Sequence, residues 1–390
     1  MIQDVELVEE NKVVLKGYLE GYYGRLLSWE GRSLLLRKLS DLDMNFYIYG
    51  PKEDPYHRIK WSELYPEEEL NNFRAFHNEA LKLGIKPYFS LSPGMSYGKS
   101  ESENLDNLIK KFKQLNNIGF TDFAIFFDDI DSVRDDKLGA KHSLLLEQVS
   151  NFFENESSSP LMFCPTVYCN SFANGSLVNC SYLQSLSERV PPNLHMLWTG
   201  NEVVSKTISD QDINTLKQVI SNPVIIWDNY YANDYCPNNI FVGPLKGRSF
   251  TNKSILGLGI NATGLPITDS IILSQVDGSQ STRSILKKYQ VPDAFNSLIP
   301  FFSGPYDILD SIESFQDVKN IKKLFDPLCI EWKSKLQLEW APFLWNFFND
   351  LNFLISLKEG KGKKKLEAWA SRRYSNPLVK IIFDKSLKGE

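Results

Sequence analysis

The chain has 390 residues, with 43 Lys or Arg against 48 Asp or Glu and a net charge of −5 at pH 7. That acidic balance argues against a nucleic-acid partner, and no apolar run reaches the length of a membrane span. The length allows one large domain with a smaller one beside it.

The first residues, MIQDVELVEENKVVLKG, are acidic before they are apolar and do not read as a signal peptide. The five cysteines, Cys164, Cys169, Cys180, Cys236 and Cys329, form no CxxC pair. With no export signal, an odd count reads as free thiols in a reducing, cytoplasmic location. The sequons at Asn179 and Asn261 are then expected to stay unmodified.

Strand-sized, β-rich runs recur along the chain: VVLKGYLEG (13–21), NFYIYGP (45–51), KPYFSLSPG (86–94), DFAIFFDD (122–129), LMFCPTVY (161–168), HMLWTG (195–200), PVIIWDNYY (223–231) and SILGLGINAT (254–263). Helical patterns lie between them. Leu35, Leu39 and Leu42 share one face, as do Leu105, Leu108, Phe112 and Leu115. PEEELNNFRAFHNEALKLG opens on Pro66 and acids and closes near Gly84. Ser209 and Asp212 match a capping box. After about residue 290 the β signal stops, and the remainder reads as helices packed by Trp332, Trp340, Trp345 and Trp369. The basic stretch from Lys361 to Lys365 reads as a solvated turn and helix start.

Eight strands alternating with helices predict a (β/α)8 TIM barrel over residues 1–290, followed by an α-helical domain over 291–390. An open doubly wound sheet is the alternative. It more often carries a glycine-rich phosphate loop, and GYLEGYYGR lacks the G-x-G-x-x-G spacing.

In a barrel the site lies at the C-terminal ends of the strands. Those ends carry Gly21-Tyr22-Tyr23, Lys52-Glu53-Asp54, Asp128-Asp129, Tyr168, Trp227-Asp228-Asn229 with Asp234 beyond, and Asn261. There is no histidine cluster for a metal and no Ser-His-Asp set. His57, beside Arg58, reads as structural. Carboxylates, amides and aromatic faces suit a sugar, and paired acids suit glycosidic cleavage. Two acids in one enclosed site also push one pKa up, so that one stays protonated. Taken alone, adjacent acids are as often a helix cap as a catalytic pair, and paired aspartates also bind magnesium.

Neighbouring residues on a regular strand face opposite ways. Both acids meet one substrate only if the strand ends there. Adjacency also fits poorly to a nucleophile and an acid on opposite sides of the bond. It fits better if the sugar's own 2-acetamido oxygen is the nucleophile.

Taken together, EGYYGR (20–25), YGPKEDPYHR (49–58), SPG (92–94), FAIFFDDID (123–131), FCPTVYC (163–169), LWTG (197–200), WDNYYANDY (227–235) and GPLKGRS (243–249) resemble glycoside hydrolase family 84. That family contains protein O-GlcNAcases and bacterial β-N-acetylglucosaminidases. The resemblance implies retaining, substrate-assisted removal of β-linked N-acetylglucosamine (GlcNAc), without cofactor or metal. It assigns Asp128 to polarise the acetamide and Asp129 to act as general acid and base. Tyr168 would support the acetamide oxygen, Trp227 its methyl, and Asn229 would hold the acetamide and Asp128. Asp234 would bind the sugar's O4 and O6 hydroxyls, with Lys52, Asn261 and the Gly21 backbone completing the site. The implied partner is a GlcNAc-bearing protein or glycan, and the resemblance also raises a homodimer through the C-terminal helices. Leu26-Leu27, Val167 and Glu53 depart from the common family pattern at the rim. A hyaluronan- or glycan-directed enzyme and a non-catalytic sugar-binding protein are the alternatives.

Overall fold

Eight of the predicted runs form one closed parallel barrel, which excludes the open sheet. The structure is a computed structural model that describes residues 15–96, 101–153, 159–173, 175–251, 254–307, 323–358 and 363–371. Among them the strands are β1 (Leu15–Glu20), β2 (Phe46–Tyr49), β3 (Lys86–Leu91), β4 (Asp122–Phe126), β5 (Met162–Cys164), β6 (His195–Trp198), β7 (Ile208–Ser209), β8 (Val224–Asp228), β9 (Arg248–Ser249) and β10 (Gly257–Asn261). The barrel runs β1-β2-β3-β4-β5-β6-β8-β10 and back to β1, while β7 and β9 pair separately.

The helices are α1 (Trp29–Asp41), α2 (Glu67–Lys82), α3 (Glu101–Asn116), α4 (Asp136–Phe153), α5 (Ser181–Ser187), α6 (Asp210–Leu216), α7 (Pro266–Leu273), α8 (Thr282–Lys288), α9 (Lys335–Lys358) and α10 (Leu366–Ala370). Their signals match the sequence. Both halves of the Ser209–Asp212 capping box are made. Helix α2 opens after Pro66 with three glutamates in its first turn and closes before Gly84, whose φ is 73°.

Strand alternation divides the apolar residues between two cores. Leu19, Ile48, Tyr88, Phe126, Met162, Leu197 and Ile225 pack inside the barrel. Tyr47, Phe89, Phe123, Ile125, Phe163 and Ile226 alternate with them and pack in the larger core with helix residues such as Leu36, Phe73, Phe112 and Leu146. Two runs leave the ladder sooner than their composition suggests. Strand β4 stops at Phe126, which releases the two acids from strand alternation. Strand β5 stops at Cys164, because Pro165 has no N–H to offer. Tyr168 therefore sits in the following loop rather than at a strand end.

Three buried polar devices hold the barrel mouth. At the end of β1, Glu20 accepts two bonds from Arg32, at 3.0 and 2.7 Å, and one from Tyr47 Oη at 2.9 Å. Lys111 of α3 is fully buried and donates to the carbonyls of Tyr56, Trp61 and Glu63 at 2.5, 3.0 and 2.6 Å. Three acceptors require the three N–H groups of an ammonium. The loop between β2 and α2 is thereby tied to α3. His57 in that loop is buried, and its Nε2 pairs with Ser90 Oγ at 2.9 Å, in keeping with a structural role.

The described C-terminal residues pack on the barrel. Phe295, Trp332, Trp340 and Phe343 share a core with Ile240, Ile271 and Ile285. Glu339 of α9 accepts from the backbone N–H groups of Ile267 and Thr268 at 3.0 and 2.8 Å. A carboxylate there satisfies the first turn of α7 and meets its positive end. Trp345 departs from the expected packing and lies 42% exposed. The basic stretch falls partly outside the described residues; Lys363–Lys365 forms a short turn before α10.

Arg32→Met strands the Glu20 carboxylate in the core. It should lower stability by about 3–5 kcal/mol in urea unfolding, and Glu20→Gln added to it should recover part of the loss.

Candidate active site

The carboxyl ends of the strands surround a cavity of about 870 Å³. Gly21, Asp128, Asp129, Tyr168, Trp227, Asn229, Asp234 and Asn261 line it together. Lys52 belongs to the site but stands behind the wall: it is buried, and its Nζ is ion-paired to Asp128 Oδ2. The resemblance gave Lys52 a part in sugar binding; its ammonium is bound to Asp128, which lines the cavity.

The two acids differ in surroundings although they are adjacent. Asp128 is 4% exposed. One of its oxygens takes Lys52, and the other, Oδ1, is buried with no hydrogen-bond partner. Asp129 is exposed to the cavity, and both its oxygens accept from phenols: Tyr168 Oη at 2.7 Å and Tyr23 Oη at 2.9 Å. The backbone makes this possible. Asp129 has φ 52°, in the left-handed region that non-glycine residues seldom adopt. The turn breaks strand alternation and puts both carboxyls at one cavity.

Burial drives Asp128 above the usual carboxylate range, with Lys52 opposing and the Asp129 charge adding to the rise. Asp129 moves the other way. Burial pushes it up, but Lys52, the two phenolic donors and Arg58 together hold it low. One carboxyl is raised, as two acids in one site require. It is Asp128, however, whereas the resemblance gives the proton-donating role to Asp129.

The opposite wall is an amide network. Asn229 Oδ1 accepts from Trp227 Nε1 at 2.9 Å and Asn261 Nδ2 at 2.8 Å. Asn229 Nδ2 donates to the Val203 carbonyl at 2.8 Å, and Asn261 Oδ1 accepts from Gly21 N at 3.1 Å. The expected Asn229–Asp128 link is therefore replaced by bonds that fix the indole of Trp227. A Cβ on Gly21 would stand 2.2 Å from that indole, so only glycine fits. Buried Asp228, between Trp227 and Asn229, takes a two-pronged bond from Arg248 at 2.7 and 2.5 Å. Asp234 accepts from the N–H groups of Tyr23 at 3.1 Å and Tyr235 at 2.8 Å.

Sequence reasoning placed Tyr23 at a strand end but gave it no role, and it set Arg58 aside. Both lie within quoted motifs, EGYYGR and YGPKEDPYHR, so the signal was present. Tyr306 also lines the cavity, bonded through its hydroxyl to the Val204 carbonyl. It follows the last predicted strand by more than a helix, and no pattern pointed to it. Among the described residues no group of three or more His, Cys, Asp or Glu is placed to hold a metal ion. The magnesium alternative also meets the Lys52 ammonium, which already neutralises Asp128. No helix among the described residues is long and apolar enough to cross a membrane.

Comparison with known proteins agrees with this geometry. The sequence model of a family described as beta-N-acetylglucosaminidase matches residues 16–299, the whole barrel from its first strand through its last. The chain is 35% identical over 240 residues to the Protein O-GlcNAcase of Rattus norvegicus and 34% identical over 240 residues to that of Mus musculus. Each match covers 60% of this chain and 26% of the relative, so the chain spans about a quarter of the length of these relatives. The matched region carries the motifs of glycoside hydrolase family 84 and encloses an acid pair in a cavity walled by aromatic and amide groups. On that match this chain belongs to the beta-N-acetylglucosaminidase family of glycoside hydrolases.

Proposed function

We propose that the chain is a retaining β-N-acetylglucosaminidase that uses the substrate's 2-acetamido group as nucleophile. The observation that carries this reading is the unpartnered, buried Oδ1 of Asp128 beside an exposed Asp129. A buried acceptor without a donor is costly. An acetamide N–H is a donor of the right kind to meet it. Asp128, ionised, then orients the acetamide and stabilises the positive charge that develops on it. The acetamide oxygen attacks C1 as the bond from C1 to the leaving oxygen breaks. Asp129 gives its proton to that oxygen. In the second half, Asp129 takes a proton from water, whose oxygen attacks C1 and restores the acetamide with net retention.

In the free site Asp128 is biased toward its acid form and Asp129 toward its carboxylate, and an exchange of hydrogen bonds reverses both biases. Tyr168 moves its donor from Asp129 to the acetamide oxygen, which raises Asp129. The acetamide N–H bonds Asp128, which lowers it. Substrate binding thus favours the proton on the acid that uses it. Trp227, held by Asn229 and Asn261, packs on the acetamide methyl, and Asp234 takes the O4 and O6 hydroxyls.

The names of the rat and mouse relatives support O-linked GlcNAc on protein serine or threonine as the substrate. On this reading residues 1–290 carry the chemistry. Of the segment 291–390, Tyr306 lines the cavity, and the proposal extends to this segment as a helical domain through which two chains would pair.

With an aryl β-N-acetylglucosaminide, Asp129→Ala should lose about 10²–10⁴-fold in rate for poor leaving groups, with azide restoring turnover only for good ones. Asp128→Asn should lose about 10²–10³-fold across all leaving groups. Equal rates for either variant and the native chain would sink the assignment.

The pH profile of kcat/KM should be a bell. Below the depressed pKa both acids are protonated and Asp128 cannot stabilise charge; above the raised one both are ionised and no proton is available. Asp128→Asn should remove the acid limb. A peptide carrying O-linked GlcNAc, compared with GlcNAc-terminated oligosaccharides, tests the aglycone.

A further inference from the structure

Asp129 is held in a backbone conformation that costs free energy, with φ 52°. Something must keep it there. Its carbonyl oxygen accepts from Arg58 Nη2 at 2.8 Å. Through Nη1 the same guanidinium donates to the hydroxyl of Tyr23. Tyr23 in turn donates to Asp129 Oδ2 at 2.9 Å. The guanidinium carbon lies 5.2 Å from the centre of the Tyr23 ring, and Arg58 is 9% exposed. One planar fork therefore grips the main chain of the acid and the phenol that bonds its side chain.

We propose that Arg58 is a positioning residue for proton transfer: its fork locks Asp129 and Tyr23 into one unit that aims Asp129 at the leaving oxygen. This rests on the assignment of Asp129 as proton donor. Tyr168 occupies Asp129 Oδ1 before substrate binds and is the donor that must move. Tyr23 stays on Oδ2, because its own N–H is bonded to Asp234 and its hydroxyl to Arg58. Freed of Tyr168, Oδ1 becomes the oxygen that carries and delivers the proton, in a direction set by the fixed Oδ2. A lysine at 58 keeps the charge but cannot reach the carbonyl and the phenol together. Lys111 extends the device outward. It ties down the loop that carries Arg58, through three carbonyls, and the Ser92 N–H bonds the His57 carbonyl at 2.9 Å.

The charged and titratable groups that face Asp129 are Lys52, Arg58, Asp128, Tyr23 and Tyr168, with Cys164 nearby. Removing a donor from the carboxylate raises its pKa, so loss of the Tyr23 hydroxyl moves the pH profile upward.

The test compares Arg58→Lys, Arg58→Met and Tyr23→Phe with the native chain and Asp129→Ala. The probes are aryl β-N-acetylglucosaminides of graded leaving-group acidity and an alkyl β-N-acetylglucosaminide. Both Arg58 variants and Tyr23→Phe should lose at least about tenfold on the poorest leaving group and under about threefold on the best, since only the former depends on the acid. The kcat/KM profile of Tyr23→Phe should lie at higher pH than that of the native chain. Uniform loss across leaving groups, or full activity in Arg58→Lys, overturns the inference. Tyr23→Phe removes one oxygen, so it keeps the test alive if an Arg58 variant fails to fold. Suppose Asp129→Ala shows steep leaving-group dependence and the other variants do not. The inference then falls and the assignment of Asp129 stands. If Asp129→Ala shows none, both fall.

Discussion

The site depends on keeping two adjacent carboxylates in one enclosed cavity while making them unlike. Side by side they repel, and burial penalises each charge further. The chain meets this with different partners for each. Asp128 is buried against an ammonium, whereas Asp129 is exposed to the cavity and held by two phenols. Those partners come from the ends of β1, β2 and β5, so no single local segment could build the arrangement. Barrel closure brings them together, and the loops that deliver them are themselves anchored by buried polar groups.

The same constraint biases the two acids in opposite directions before a substrate enters. Phenolic donors stabilise the Asp129 charge, and burial favours a proton on Asp128. In the proposed mechanism the substrate exchanges the donors, and its binding energy is used to create the charge pattern that the transition state needs.

Around this centre, structural and functional polar groups are interleaved. The Glu20–Arg32 pair is buried one residue before Gly21, whose backbone N–H begins the amide network of the cavity wall. The Asp228–Arg248 pair lies between Trp227 and Asn229. Glu339 bonds the start of α7, three residues beyond the Gly264 N–H that donates to Asp269 at 2.9 Å. Each is an ion pair or a cap whose removal would be felt at the mouth, because strand ends and loop starts are the same residues.

Much of this was legible in the sequence. Eight β-rich runs with helices between them give a parallel β/α architecture, because strands buried on both faces need helices to cover them; closure into a barrel rather than an open sheet came from the tertiary structure. The acid pair, Tyr168, Trp227, Asn229, Asp234 and Asn261 could be listed as strand-end residues from order alone, and the family could be read from their motifs. Tertiary structure decided what their neighbours do. Lys52 looks like a surface lysine until the barrel closes over it. Composition does not show that β4 ends at Phe126, that Asp129 turns left-handed, or that Arg58 reaches it from 71 residues away. Nor does it show which acid is raised. Local pattern records burial and periodicity; the partner of a buried charge is a long-range choice, fixed only when distant strand ends meet.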